Sequence, residues 1–414
     1  MTRVATPDAA PGEPAAPEGP SRALILLFAA VSALGPFTMQ IFVPALPMVQ
    51  REFGVSTGSA QLTFSVFVFV LGPSLLLYGP LSDRFGRRPV LVAGLVVFSL
   101  GTLLCWLAPT LGVLVAGRAL QAMGSAAGLV ITRALMSDLY GPRGMAAALS
   151  YTTMAMVVPP MLAPIIGGVL VDTLGWRWIF AVMLAAAVAT LVFCVRYLPE
   201  PPVPASRRQL GVVEKFRRVL SRPRFHLFTL QAMLIAGMFY AFMAGSPYLM
   251  VNVLDRPATE FGLYFLFLAA GYIVGNYLSG RLSGRIGLDR MIVIGAVLAL
   301  SVAWIPVLFT AVGWWVPLAF FAPMALLTVA NGMAMPSAQT GAISAVPEAS
   351  GTASSSTGFM QQAAGACIVQ LLGWWQNDTP WPMVTVIFGC AFAAMIASVV
   401  LSRWPADRPA SPPT

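Results

Sequence analysis

The sequence predicts an all-α integral membrane protein: twelve transmembrane helices in two pseudo-symmetric bundles of six. Three observations carry that expectation. The first is composition. Of 414 residues, 58% are hydrophobic and 9% charged, against about 25% charged in soluble chains. That is too little charge to cover a soluble body of this size, and the mean hydropathy is +0.81. The apolar segments reach about 20 residues, the length of a membrane-crossing helix, without the period-two alternation of an outer-membrane barrel.

The second observation is where the cations sit. Of the 24 Lys and Arg, the single lysine is Lys215, and most of the arginines fall in alternate loops. With the N-terminus inside, nineteen basic residues collect on one side and three (Arg51, Arg177, Arg256) on the other. That bias is the orientation signal of a membrane protein and predicts both termini in the cytoplasm. It also removes nucleic acid as the explanation of the net charge of +9.

The third observation is an internal repeat. Gly79-Pro-Leu-Ser-Asp-Arg-Phe-Gly86 returns 201 positions later as Gly280-Arg-Leu-Ser-Gly-Arg-Ile-Gly287, with Gly, Leu, Ser, Arg and Gly in common. A duplicated six-helix unit with a cavity between its copies suits alternating access better than a fixed pore.

In order along the chain, residues 1–21 read as a disordered tail rich in Ala, Pro and Glu, without the basic start of a signal peptide. Candidate spans follow at 23–47, 60–80, 90–108, 111–137, 144–170 and 177–198, forming an N-terminal bundle over 22–198. Residues 199–224 form a cytoplasmic linker that begins with four prolines and then carries seven basic residues, Lys215 among them. It is expected to touch anionic lipid heads. The second bundle, 225–404, takes spans at 226–250, 260–280, 291–311, 315–338, 352–374 and 383–403, before a short tail, 405–414. Cys105, Cys194, Cys367 and Cys390 all lie in apolar spans without CxxC spacing, and His226 is the one histidine. Neither a disulfide framework nor a metal site is expected.

Polar residues inside apolar spans are costly and mark function. Arg118 and Gln121 share a face of span four at i, i+3, with Ser125 one turn on. The loop Gly79–Pro89 gathers Asp83, Arg84, Arg87 and Arg88, with Gly79 and Gly86 expected to allow a tight reversal and Pro89 to open span three. Span five carries Pro159-Pro160-Met-Leu-Ala163-Pro164-Ile-Ile-Gly167-Gly168, a pattern that bends a helix and admits a close neighbour.

The Gly79–Pro89 loop resembles the G-x-L-[SA]-D-R-x-G-R-[RK] signature between helices two and three of the major facilitator superfamily. Arg118-Ala-Leu-Gln121-Ala-Met-Gly124 is similar to the R-x-x-Q-G-x-G run of its drug:proton antiporters, and the span-five pattern to their G-P-x-x-G-G motif, with Ala122 and Ala163 replacing glycines. Val43-Pro44-Ala45-Leu46-Pro47, Ser246-Pro247-Tyr248, Gly351–Ser355 and Trp381-Pro382 extend the resemblance to the bicyclomycin/chloramphenicol-resistance (Bcr/CflA) antiporters over most of the chain.

The resemblance implies a major facilitator fold and a multidrug exporter, without enzyme activity or cofactor, a monomer in the bacterial inner membrane. Its partners would be a small-molecule drug, protons and lipid. In such relatives spans one, four, seven and ten line the cavity. Carried over, that lining is Phe37, Gln40, Phe42, Arg118, Gln121, Tyr240, Met243 and Asn331. With one buried cation and several aromatic and Met surfaces, it would favour neutral, partly apolar molecules, phenicols among them. Coupling and gating would fall to Asp83, Arg84, Arg87, Arg88 and Arg118. One departure stands out. Relatives read D-x-Y-L-P-A-L-P where this chain has Gln40-Ile-Phe-Val43-Pro44-Ala45-Leu46-Pro47, and Gln40 cannot ionise. Asp138, near Arg133 at the end of span four, is the expected substitute acid. An exporter of an endogenous sugar, nucleoside or other metabolite, and a membrane sensor, are the competing readings.

Overall fold

A computed structural model describes residues 22–200 and 212–404. The two tails and linker residues Arg207 and Arg208 lie outside the described residues, as does the side chain of Arg143. The first half holds α1 (Arg22–Ile41), α2 (Leu46–Phe53), α3 (Thr57–Phe85), α4 (Arg87–Trp106), α5 (Leu111–Thr173) and α6 (Arg177–Tyr197). After α7 (Val212–Leu220), the second half holds α8 (Pro223–Tyr248), α9 (Ala258–Ile286), α10 (Leu288–Val312), α11 (Pro317–Ser344), α12 (Ser350–Trp375) and α13 (Trp381–Arg403). Among the described residues, ten helical stretches are long and apolar enough to cross a membrane, and Val158–Thr173 is a shorter apolar one. Expected span eleven is the helix α12. Its Ser, Thr, Gly and Gln residues keep its hydropathy below the others.

Expected spans four and five both fall within α5, which doubles back. Thr152 meets the Met136 sulfur at 3.5 Å, whereas sixteen residues of straight helix would hold them about 24 Å apart. The two limbs therefore run oppositely along α1: Gly128 lies against Val31, and Gly167 against Ile41.

The sequence repeat reappears in the backbone. α3 and α9 are both 29 residues long, and their ends fall 201 positions apart. Each is closed by a glycine in a positive-φ turn, Gly86 (φ 94°) and Gly287 (φ 85°). Each of these glycines also opens the following helix. Gly79 takes no part in the reversal expected of it. It lies inside α3 with open space around it. Just before the paired helices, Gly54 (φ 61°) corresponds to Asp255 (φ 51°), the one non-glycine at positive φ among the described residues.

Two contacts join residues to their own counterparts: Tyr240 Oη lies against the Met39 sulfur (3.8 Å), and Arg51 Nη2 donates to Asn252 Oδ1 (2.8 Å). A residue can meet its counterpart only beside the axis that relates the copies. α1 and α8 therefore run along that axis. Across it, α3 packs on α12 and α5 on α9. Val219 of α7 is buried with Phe225, Phe228, Val346 and Leu401, so this helix inside the expected linker docks on the second half.

Candidate functional site

A cavity of about 840 Å³ lies between the halves at the end that carries the arginine-rich loops. From the first half it is lined by Leu75, Leu76, Asp83, Leu129 and Arg133. From the other side come Lys215, Phe216, Gln339, Ile343, Thr352, Ser354 and Ser355. Its depth reads directly along α12: positions 351–358 line it, Gln362 accepts the Tyr240 hydroxyl (2.8 Å), and Gln370 lies beyond. Met39, Phe64 and Tyr240 meet beyond that lining, one turn of α12 further in. Past it the halves touch directly. Ser65 Oγ donates to Gln370 Oε1 (2.9 Å), Gln370 Nε2 to the Gly58 carbonyl (3.0 Å), and Gln61 Nε2 to the Ala244 carbonyl (2.8 Å).

The motif loop forms a charge network at the cavity mouth. Arg87 pairs with Asp83 at 2.5 Å and with Asp138 at 3.0 Å, and donates to Ser82 Oγ at 2.6 Å. The positive-φ turn at Gly86 starts α4 immediately after α3, which aims the Arg87 side chain back between them. Arg88 donates to the Val195 carbonyl of α6 (2.5 Å), and Arg84 lies over the Phe85 ring. Asp138, expected near Arg133, is bound instead to Arg87. Arg133 lines the cavity. On α7, the hydrogen bond from Arg218 (2.8 Å) holds the Glu214 carboxyl below its usual range.

Arg118 is fully buried but does not line this cavity. Its guanidinium lies between the rings of Phe42 (4.6 Å) and Phe67 (4.3 Å). Nε donates to the Thr63 carbonyl (3.0 Å) and Nη1 to Gln121 Oε1 (2.9 Å). Gln121 Nε2 in turn donates to Thr102 Oγ1 (2.8 Å), and Arg118 Nη2 has no partner. Phe42, Arg118 and Gln121, expected to line the cavity, are buried outside its lining in this structure. Two aromatic faces and two oxygens stand in for the water a buried guanidinium loses. The partners come from three other elements, α3, α4 and the segment after α1.

The remaining expected lining divides as well. Phe37 and Gln40 are half-buried on α1, and Gln40 Oε1 has no partner. Tyr240 and Met243 are both buried outside the cavity lining. Asn331 faces a small crevice inside the second half, between α8, α10, α11 and α13, with Oδ1 unpartnered. Sequence reasoning missed Met39, Gln362, Phe216 and Gln339. Only Gln339 left a signal: it stands 201 positions after Asp138.

An apolar helical body with a large cavity between two repeated halves, sealed at one end, defines a multi-pass membrane transporter rather than an enzyme. The Major Facilitator Superfamily profile matches residues 28–369, and the chain belongs to that family. It is 32% identical to Multidrug resistance protein D of Escherichia coli (strain K12) over 84% of this chain and 88% of that one. It is 26% identical to a Bicyclomycin resistance protein homolog of Haemophilus influenzae (91% and 96% covered) and 28% to a Chloramphenicol resistance protein of Pseudomonas aeruginosa (92% and 89%). These relatives put it in the bicyclomycin/chloramphenicol-resistance subfamily. Among solved structures, a bacterial homolog of the human lysosomal transporter Spinster, inward-facing and unoccupied, superposes with a TM-score of 0.68 at 17% identity, over 92% of this chain and 95% of that one. That likeness supports the fold alone.

Proposed function

We propose that this chain is a multidrug exporter of the bacterial inner membrane, working by alternating access between two six-helix bundles joined by the cytoplasmic linker. The arginine-rich loops and both termini then lie in the cytoplasm. The observation that carries the reading is the cavity: about 840 Å³, lined by both halves, reaching the arginine-rich end and sealed at the other by direct contacts between the halves. Drug would enter from the cytoplasm and move beyond the cavity lining toward Met39, Tyr240 and Gln362, which meet one turn of α12 further in. The apolar side of the wall, with Leu75, Leu76, Leu129, Phe216 and Ile343, suits neutral or partly apolar antibiotics, beside the charges of Asp83, Arg133 and Lys215. The drug-resistance names of the relatives agree, and phenicols are the substrates to try first.

In this reading Asp83, Arg84, Arg87, Arg88 and Asp138 govern opening at the cytoplasmic end. Asp138 is the acid through which proton antiport would drive export, because Gln40 leaves span one without a carboxylate. The Arg118 cage holds α3, α4 and α5 as one body that moves together. The unpartnered Nη2 is the group a substrate would reach if the cage opens. Expression in a host deleted for its own pumps tests the function. Raised resistance to chloramphenicol or bicyclomycin is expected. Unaltered susceptibility across both, at confirmed membrane expression, would favour export of a metabolite, which the hydroxyl row Thr352, Ser354 and Ser355 could also serve.

A further inference from the structure

The sealed end of the molecule holds a carboxylate that the transport reading leaves unused. Asp172, in the last turn of α5, accepts the backbone N–H of Ala258 (3.2 Å), the backbone N–H of Thr259 (2.7 Å) and the Thr259 hydroxyl (2.6 Å). Those amides are the first two of α9, in the other half. A helix leaves its first N–H groups without intrahelical partners, and a side-chain oxygen at the N-cap ordinarily satisfies one of them. The N-cap here is Pro257, which has no such oxygen. Its counterpart 201 positions earlier is Ser56, whose hydroxyl accepts the Ser59 N–H at 3.2 Å. The two share one backbone geometry, φ −66° and ψ 157° for Ser56, φ −66° and ψ 153° for Pro257. α3 thus carries its own cap, while α9, built on the same plan, takes one from the opposite half. The neighbouring packing leaves no slack. A Cβ on Gly168 would come within 2.4 Å of the Ala258 carbonyl oxygen, and one on Gly262 within 2.6 Å of that of Pro164.

We propose that Asp172 is the outer latch of the transport cycle: a helix cap supplied in trans, made when the halves meet at this end and lost when they part. The proposal rests on the alternating-access reading. Opening removes the acceptor from the Ala258 and Thr259 amides and takes the carboxylate away from the positive end of α9. Asp172 therefore biases the equilibrium toward the state closed on this side.

A distance measurement tests this without any drug. Leu174 and Arg256, both exposed at this end in opposite halves, are changed to cysteine in a chain whose four native cysteines are serine. The pair is then spin-labelled in sealed proteoliposomes. Asp172→Ala is expected to raise the ratio of long to short distances roughly fivefold to tenfold, the worth of one cap. Pro257→Ser should leave the ratio near the parent's, because a serine there caps the Glu260 N–H, as Ser56 caps that of Ser59, and not the two amides that Asp172 holds. Asp172→Asn, which keeps an acceptor oxygen without the charge, should raise it less than Asp172→Ala. A distribution unchanged in Asp172→Ala, or one opened as far by Pro257→Ser, would overturn the latch. A parent distribution that stays at one distance with the pH gradient imposed and removed would instead remove the alternating-access reading beneath it.

Discussion

Arg87 holds two carboxylates at once, so losing it differs from losing either partner. Asp83→Asn removes one charge from a network that keeps Arg87 bound to Asp138 and Ser82. Arg87→Ala leaves Asp83 and Asp138 facing each other without the cation. Drug export in vesicles at matched expression should fall severalfold for Asp83→Asn and at least tenfold for Arg87→Ala. Equal rates in all three proteins would remove the network from the mechanism. Arg118 calls for a different pair of variants. Arg118→Lys keeps the charge but not the planar fork that lies between Phe42 and Phe67 and reaches Thr63 and Gln121 together. It should retain only part of the export rate. Arg118→Ala should abolish export and lower the detergent melting temperature, because the cage ties three helices together. A monodisperse Arg118→Ala protein exporting at the parental rate would defeat both roles. The Arg118–Gln121 pair was legible because i, i+3 spacing on one helix fixes a shared face. Phe67 and Thr63 were not, because α3 is apolar on nearly all sides and gives no sign of which residue meets which neighbour.

At the scale of elements, glycine separates helices that touch from helices that merely bend. A Cβ on Gly124 would come within 2.4 Å of the Phe98 amide nitrogen and 2.5 Å of the Gly94 carbonyl oxygen, both backbone atoms that cannot move aside alone. Gly124→Ala should therefore cost about 1–3 kcal/mol as an overpacked α4–α5 contact. Gly79→Ala, with open space around the same atom, should leave stability unchanged. Thermal unfolding in detergent compares them, and equal melting temperatures would refute the packing argument. Both glycines stand in family motifs, so the motif alone could not tell them apart. The long apolar helices were readable from hydropathy because lipid demands apolar surface on every exposed face. α12 was the hardest by that measure, since part of its surface lines the cavity. α7 was hidden inside a basic linker because nine residues are too few for periodicity to stand out from a charge run.

For the molecule as a whole, the 201-residue repeat was visible in a single loop, and the structure carries it through two helices, two turns and two contacts on the axis. The loop repeat alone does not disclose how the copies differ. Ser56 against Pro257 is one such difference, and Asp138 against Gln339 another. Those differences make the two halves unequal partners. The account stands on drug moving through the cavity at the expense of a proton gradient. Its most direct test is chloramphenicol uptake by everted membrane vesicles containing this protein, with an inward-acid gradient imposed and then collapsed. Uptake that rises with the gradient, decays when it is dissipated and loses its gradient response in Asp138→Asn is the predicted result. Uptake indifferent to the gradient, or an undiminished gradient response in Asp138→Asn, would contradict it.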